Sequence, residues 1–324
     1  MALNDRLLQV LGNSYVLERE LAGTGVSRVF LVRERELERR VVAKVLAPEL
    51  ASAVSAERFA REVALTARLQ QANIVPVLGA GDLEGRPYYM MAWVEGDSLR
   101  TRLGARGAVS IADTVAILRD VANALSHAHA HGVLHLDINP ENVFLSGHTA
   151  VVTDFGIASA IAASRALTPS RSDTEAEGLL GTPAYMAPEQ ARGDPATDHR
   201  ADIYSLGVVA YELLAGERPF TARAPDDLIH AHATQAPPPL LARRPTIPVN
   251  LAALVTRCLA KDPAHRPSSA DEVLQALERL NESPPDVLHG APREAGSPSR
   301  RPVAIGATLG LIGVFAALLV ATRC

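Results

Sequence analysis

The apolar residues of this chain change period near residue 98, and that change limits the folds open to it. Before it, SYVLERELAG, RVFLVRE and RRVVAKVLA read as strands separated by turn signals. ERFAREVALTARLQQ interrupts them with Phe59, Val63 and Leu69 at helical spacing, and Pro87 to Val94 is apolar enough for another buried strand. After it, ADTVAILRDVANALSHAHAHG and ADIYSLGVVAYELLAGE are patterned as helices. The expectation is an α+β fold of two lobes, a small β-rich one followed by a larger α-rich one. Its last helix should open at Ser269, which stands at capping-box spacing from Glu272.

A length of 324 residues suits two compact units, or one bilobal domain with appendages. The net charge of −4 offers no basic field for wrapping nucleic acid, so no nucleic-acid partner is expected. Cys258 and Cys324 are the only cysteines, which rules out a disulfide framework or a Cys-rich zinc module and fits a reduced, cytosolic setting. Of the 32 basic residues only Lys44 and Lys261 are lysines, so each lysine needs a reason.

From Val303 to Thr322 the chain carries 20 uncharged residues, enough for a helix of about 30 Å, the thickness of a bilayer core. Arg293, Arg300 and Arg301 precede the run and only Arg323 follows it, which favours a cytoplasmic N-terminal side. No secretory leader is apparent at the N-terminus. The organisation read from these patterns is an extension at 1–14, a folded domain at 15–281 with lobes at about 15–94 and 95–281, a Pro/Ser/Gly/Arg-rich juxtamembrane linker at 282–302, a transmembrane helix at 303–322 and a tail at 323–324. Gly306 and Gly310 have the spacing that lets two membrane helices approach, so a homodimer through them is one expectation.

Lys44 ends the apolar run Val42-Ala43-Lys44, where an uncompensated ammonium is costly. Glu62 on the following helix can supply an anion, and a phosphate could supply more. Downstream come His135-Leu136-Asp137-Ile138-Asn139-Pro140-Glu141-Asn142, then Asp154-Phe155-Gly156, then Gly181-Thr182-Pro183-Ala184-Tyr185-Met186-Ala187-Pro188-Glu189. Over about residues 15 to 281 this order resembles the eukaryotic-like (Hanks-type) serine/threonine protein kinases in their bacterial membrane-anchored form.

The resemblance implies a bilobal kinase fold that moves the ATP γ-phosphoryl to protein Ser or Thr hydroxyls, with magnesium, or manganese in its place, as cofactor. Asp137 would be the base, Asn142 and Asp154 the metal ligands, and Lys44 held by Glu62 the grip on the α- and β-phosphates. Nucleotide contacts would come from Ala22, Gly23, Thr24, Gly25, Val29 and Ala43, with Met91 gating the pocket and the backbone of Ala92, Trp93 and Val94 meeting adenine. Glu189 would pair with Arg266, and Asp202 would buttress the catalytic loop. The domain would lie on the cytoplasmic face of the cell membrane.

Departures from the family pattern temper this. Ala22, Thr24 and Ser27 hold the three usual glycine positions, Leu136 stands where the family has Arg, and Asn139 stands where it has Lys. The loss of the lysine removes a cation expected near the γ-phosphate, so restoring it should raise the rate. These changes give the rival reading, a pseudokinase that binds nucleotide or scaffolds at the membrane. Thr168, Ser170, Ser172 and Thr174 are candidate phosphorylation sites in the loop after Gly156. His127, His129, His131 and His135 resemble a metal set, but no cysteine or obvious acidic ligand joins them.

Overall fold

Alternation in the first hundred residues resolves into β1 (Tyr15–Thr24), β2 (Ser27–Glu34), β3 (Arg40–Leu46), β4 (Val77–Asp82) and β5 (Pro87–Ala92), which form an antiparallel sheet in the order β1-β2-β3-β5-β4. The structure, a computed structural model, describes residues 3–24, 27–52, 54–165, 182–222 and 224–282. These belong to the first of two compact units, 1–283; the second, 284–324, lies outside the described residues. With it go the expected membrane span, Gly306 and Gly310, and nearly all of the linker. Among the described residues no helix is long and apolar enough to cross a membrane.

Strands β2 and β3 bury all of their apolar side chains because both faces of the sheet are covered. On one face lies α1 (Leu3–Leu11), whose Leu3 and Leu7 pack with Phe30, Val32, Val41 and Tyr88. The stretch expected to be a mere extension is thus part of the small lobe's core. On the other face α2 (Pro48–Ser52) and α3 (Ala56–Thr66) bury Leu50, Phe59 and Val63 against Val42, Tyr89 and Met91.

The larger lobe contains α4 (Leu99–Arg106), α5 (Ile111–Ala130), α6 (Ile157–Arg165), α7 (Pro188–Ala191), α8 (Arg200–Ala215), α9 (Pro225–Thr234), α10 (Leu240–Arg243), α11 (Val249–Cys258) and α12 (Ala270–Glu282). A second sheet runs β6 (Asp97–Ser98), β7 (Val143–Ser146) and β8 (Thr149–Val152). Helix α5 opens where Ser110 Oγ accepts the Asp113 amide at 3.0 Å. Helix α8 is buried from Ala201 through Leu214, which explains its lack of a polar face; it packs against α5 and α11. At α12, Ser269 Oγ accepts the Glu272 amide at 3.2 Å, but Glu272 reaches back one residue further, to the amide and hydroxyl of Ser268. The reciprocal half of the capping box is therefore shifted by one position.

Candidate active site

Register places Lys44 of β3 opposite Val29 of β2 and opposite Tyr89 of β5, so the ammonium leaves the sheet toward the cleft beside a buried phenol. Its partner is Asp154, with Nζ to Oδ2 at 2.5 Å. The expected pair with Glu62 does not form, and Glu62 makes no ion pair among the described residues. The reason is visible next door: the segment after Gly156 is helical, and this α6 packs on α3, with Ile157, Ala160 and Ile161 against Phe59 and Val63. Thr66 at the end of α3 sits so close to Gly156 that a Cβ there would clash with its hydroxyl.

Tyr89 also reaches Asp154, donating from Oη to Oδ1 at 2.6 Å. Both carboxylate oxygens are thereby engaged. Burial pushes the Asp154 carboxyl up, but Lys44 and Tyr89 outweigh it and hold the group below its ordinary range. The same burial, with Asp154 beside it, raises the Tyr89 phenol well above its usual value, so it stays a donor.

The catalytic loop hangs from Asp202. This buried carboxylate accepts the amides of His135 at 2.9 Å and Leu136 at 2.6 Å, and bonds His129 Nε2 at 2.8 Å. Leu136 adopts φ 61°, a left-handed conformation that its backbone bonds over-determine: Asp202 takes its amide, and Gln190 donates to its carbonyl at 2.7 Å. Burial would raise Asp202, yet the His129 bond outweighs it and lowers the carboxyl. His135 bonds the Thr153 carbonyl at 2.8 Å and meets Phe155 edge-on. With His129 on Asp202, His135 on Thr153 and His131 on the His127 carbonyl, the histidines serve the backbone and Asp202. No metal-like cluster exists among the described residues.

Asp137 is held on both oxygens: Thr182 donates its amide to Oδ1 at 2.9 Å, and Asn142 Nδ2 donates to Oδ2 at 3.0 Å. Burial still raises its carboxyl above the ordinary value, which makes it a better proton acceptor. Asn142 uses its amide nitrogen on Asp137, which turns its Oδ1 elsewhere. An amide oxygen and an ionised carboxylate are hard oxygen donors, so Asn142 and Asp154 fit a divalent cation such as magnesium.

Around this centre, Glu189 and Arg266 form a buried two-pronged pair at 2.5 and 2.7 Å. Arg100 of α4 bridges Glu141 of the loop and Glu212 of α8, each at 2.8 Å, and also bonds Tyr185. Met91, Ala92, Trp93 and Val94 line the apolar cluster at the end of β5, and the Ala92 amide is bonded to the Pro76 carbonyl at 3.2 Å. Trp93 and Val94 follow the strand directly. Near the end of β1, a Cβ on Gly23 would lie 2.6 Å from the Ser27 carbonyl, so the offset glycine is required by the close approach of β2 there. Backbone at Ala22 and Thr24 belongs to β1; Gly25, like Thr168, Ser170, Ser172 and Thr174, lies outside the described residues. Tyr89, Thr182 and Gln190 were not readable as site residues, because each acts through a contact distant in sequence.

Two lobes joined at a hinge, with a strand lysine, a loop aspartate and a second aspartate meeting between them, define a bilobal kinase. Residues 15–277 match the protein kinase domain family, and the chain belongs to it. It is 38% identical over 283 residues to the serine/threonine-protein kinase PknB of Mycobacterium tuberculosis, covering 85% of this chain and 44% of that protein. Against the serine/threonine-protein kinase pkn2 of Myxococcus xanthus it is 37% identical over 275 residues, covering 83% of this chain and 32% of the relative. The chain thus matches less than half the length of these relatives.

Proposed function

We propose that this chain transfers the γ-phosphoryl group of ATP to Ser or Thr hydroxyls of proteins. The observation that carries this is Asp137, half-buried and held on both oxygens, on the loop that also presents Asn142. Such positioning is most of what phosphoryl transfer asks of a protein. Asp137 takes the hydroxyl proton and Lys44 meets the nucleotide phosphates. Asn142 and Asp154 would hold magnesium, or manganese in its place, which when bound neutralises charge developing on the phosphoryl oxygens. The serine/threonine-protein kinase names of the relatives support Ser and Thr as acceptors. A test is to incubate the full chain with labelled ATP, magnesium and a mixed Ser/Thr/Tyr protein substrate, then hydrolyse in acid. Label on phosphoserine or phosphothreonine is expected; label confined to phosphotyrosine would contradict the assignment.

One observation favours the rival reading of a nucleotide-binding or scaffolding module with little turnover: Lys44 and Tyr89 occupy both oxygens of Asp154. Holding a cation there would require Lys44 and Tyr89 to give up those oxygens.

The setting we propose is a cell membrane, with the kinase domain on its cytoplasmic face and residues 303–322 as a single span, supported by the 20 uncharged residues and the arginines before them. Full-length protein should stay with membranes through salt and alkali, because apolar burial is not screened. Its release into the soluble fraction would contradict the anchor.

A further inference from the structure

Asn139 is 2% exposed, and its side chain uses both ends. Oδ1 accepts the amides of Glu141 at 2.9 Å and Asn142 at 3.1 Å. Nδ2 donates to the Asp137 carbonyl and to Thr182 Oγ1, each at 3.1 Å. The Asn142 amide also reaches the Asn139 carbonyl at 3.1 Å, closing a four-residue turn Asn139-Pro140-Glu141-Asn142. Asparagine at the first position of a turn and proline at the second is a favoured combination, since the side chain caps the amides and the ring presets the backbone. This turn starts two residues after the base and ends at a metal ligand. Thr182, held by Asn139 through its hydroxyl, gives its own amide to Asp137.

We infer that Asn139 is a positioning residue for phosphoryl transfer, fixing Asp137, Asn142 and Thr182 in one frame through its amide. It occupies the place of the usual lysine without leaving a vacancy for one. A lysine has no acceptor, so it would strip the Glu141 amide of its bond and leave the Asn142 amide with the Asn139 carbonyl alone. The expectation that restoring lysine would speed the reaction is accordingly reversed.

This inference rests on the proposed activity for its kinetic arm, and has a second arm that does not. In the full chain, Asn139→Ala and Asn139→Lys should each lower kcat by roughly ten- to a hundredfold, the scale of a displaced catalytic group, with KM for ATP within about threefold. Asn139→Asp keeps both acceptor bonds and should protect the Glu141 and Asn142 amides from hydrogen exchange better than Ala does. Thr182→Val combined with Asn139→Ala should be little slower than the worse single variant, because both act through one contact. A kcat for Asn139→Lys at or above that of the unaltered chain would overturn the inference, as would loss confined to KM. Should the unaltered chain show no turnover, the proposed activity fails, and amide exchange alone decides whether Asn139 frames the loop: protection at Glu141 that is lost in Asn139→Ala supports that frame, and exchange unchanged by the substitution overturns it.

Discussion

Asp154 is where single side chains have most to do. Its two oxygens face Lys44 at 2.5 Å and Tyr89 at 2.6 Å, so the group that would hold a cation is satisfied without one. Tyr89→Phe keeps the ring in its place against Phe59 and removes only the hydroxyl. A hydrogen bond to a charged group contributes about 1.5 kcal/mol or more, so the magnesium dissociation constant should tighten by roughly tenfold, read by titration calorimetry. An unchanged constant would mean that the phenol does not compete. The acidic and basic residues of this centre were legible as types in a fixed order, whereas Tyr89 was not. Its part depends on the pairing of β3 with β5, which sets Lys44 opposite Tyr89. Glu62 was legible as an anion on the right helix, but its distance from Lys44 is set by where α3 stands, and α6 has a share in that.

Elements were readable where one face or both are plainly apolar. Strands β1, β2, β3 and β5 and helices α5 and α8 show their patterns in the chain, β4 was not read from it, and α1 and α6 are short and acquire their roles only by packing on something distant. The pair Glu189–Arg266 joins α7 to the loop before α12, and Arg266 also donates to the carbonyls of Arg200 and Ala260 at 2.9 and 2.8 Å. With the guanidinium wholly buried, removing it leaves Glu189 without its partner and strands those carbonyls. Arg266→Ala should destabilise the fold by about 3–5 kcal/mol, as for other broken buried pairs. Denaturant unfolding measures this, and a loss under about 1 kcal/mol would place the pair among those of little consequence.

On the scale of the whole molecule, the two lobes meet through side chains that must rearrange together. Lys44 comes from the small lobe, Asp137 and Asn142 from the large one, and Asp154 is already bonded to Lys44 and Tyr89 across the cleft. On the proposed function, Lys44 and Asp154 would have to release one another so that Lys44 could meet the nucleotide phosphates and Asp154 could help hold a cation, while Asp137 stays framed by Thr182 and Asn142. The measurement that bears most directly on this account is a single-turnover assay of phosphoryl transfer by the full chain and by Asp137→Asn, with ATP binding measured in parallel. Asparagine keeps the shape and cannot take the proton, so transfer should fall by at least about a hundredfold, the usual contribution of a positioned base, while the ATP dissociation constant stays within about twofold. Transfer at an undiminished rate by Asp137→Asn would contradict the assignment of Asp137 and, with it, the account of the site.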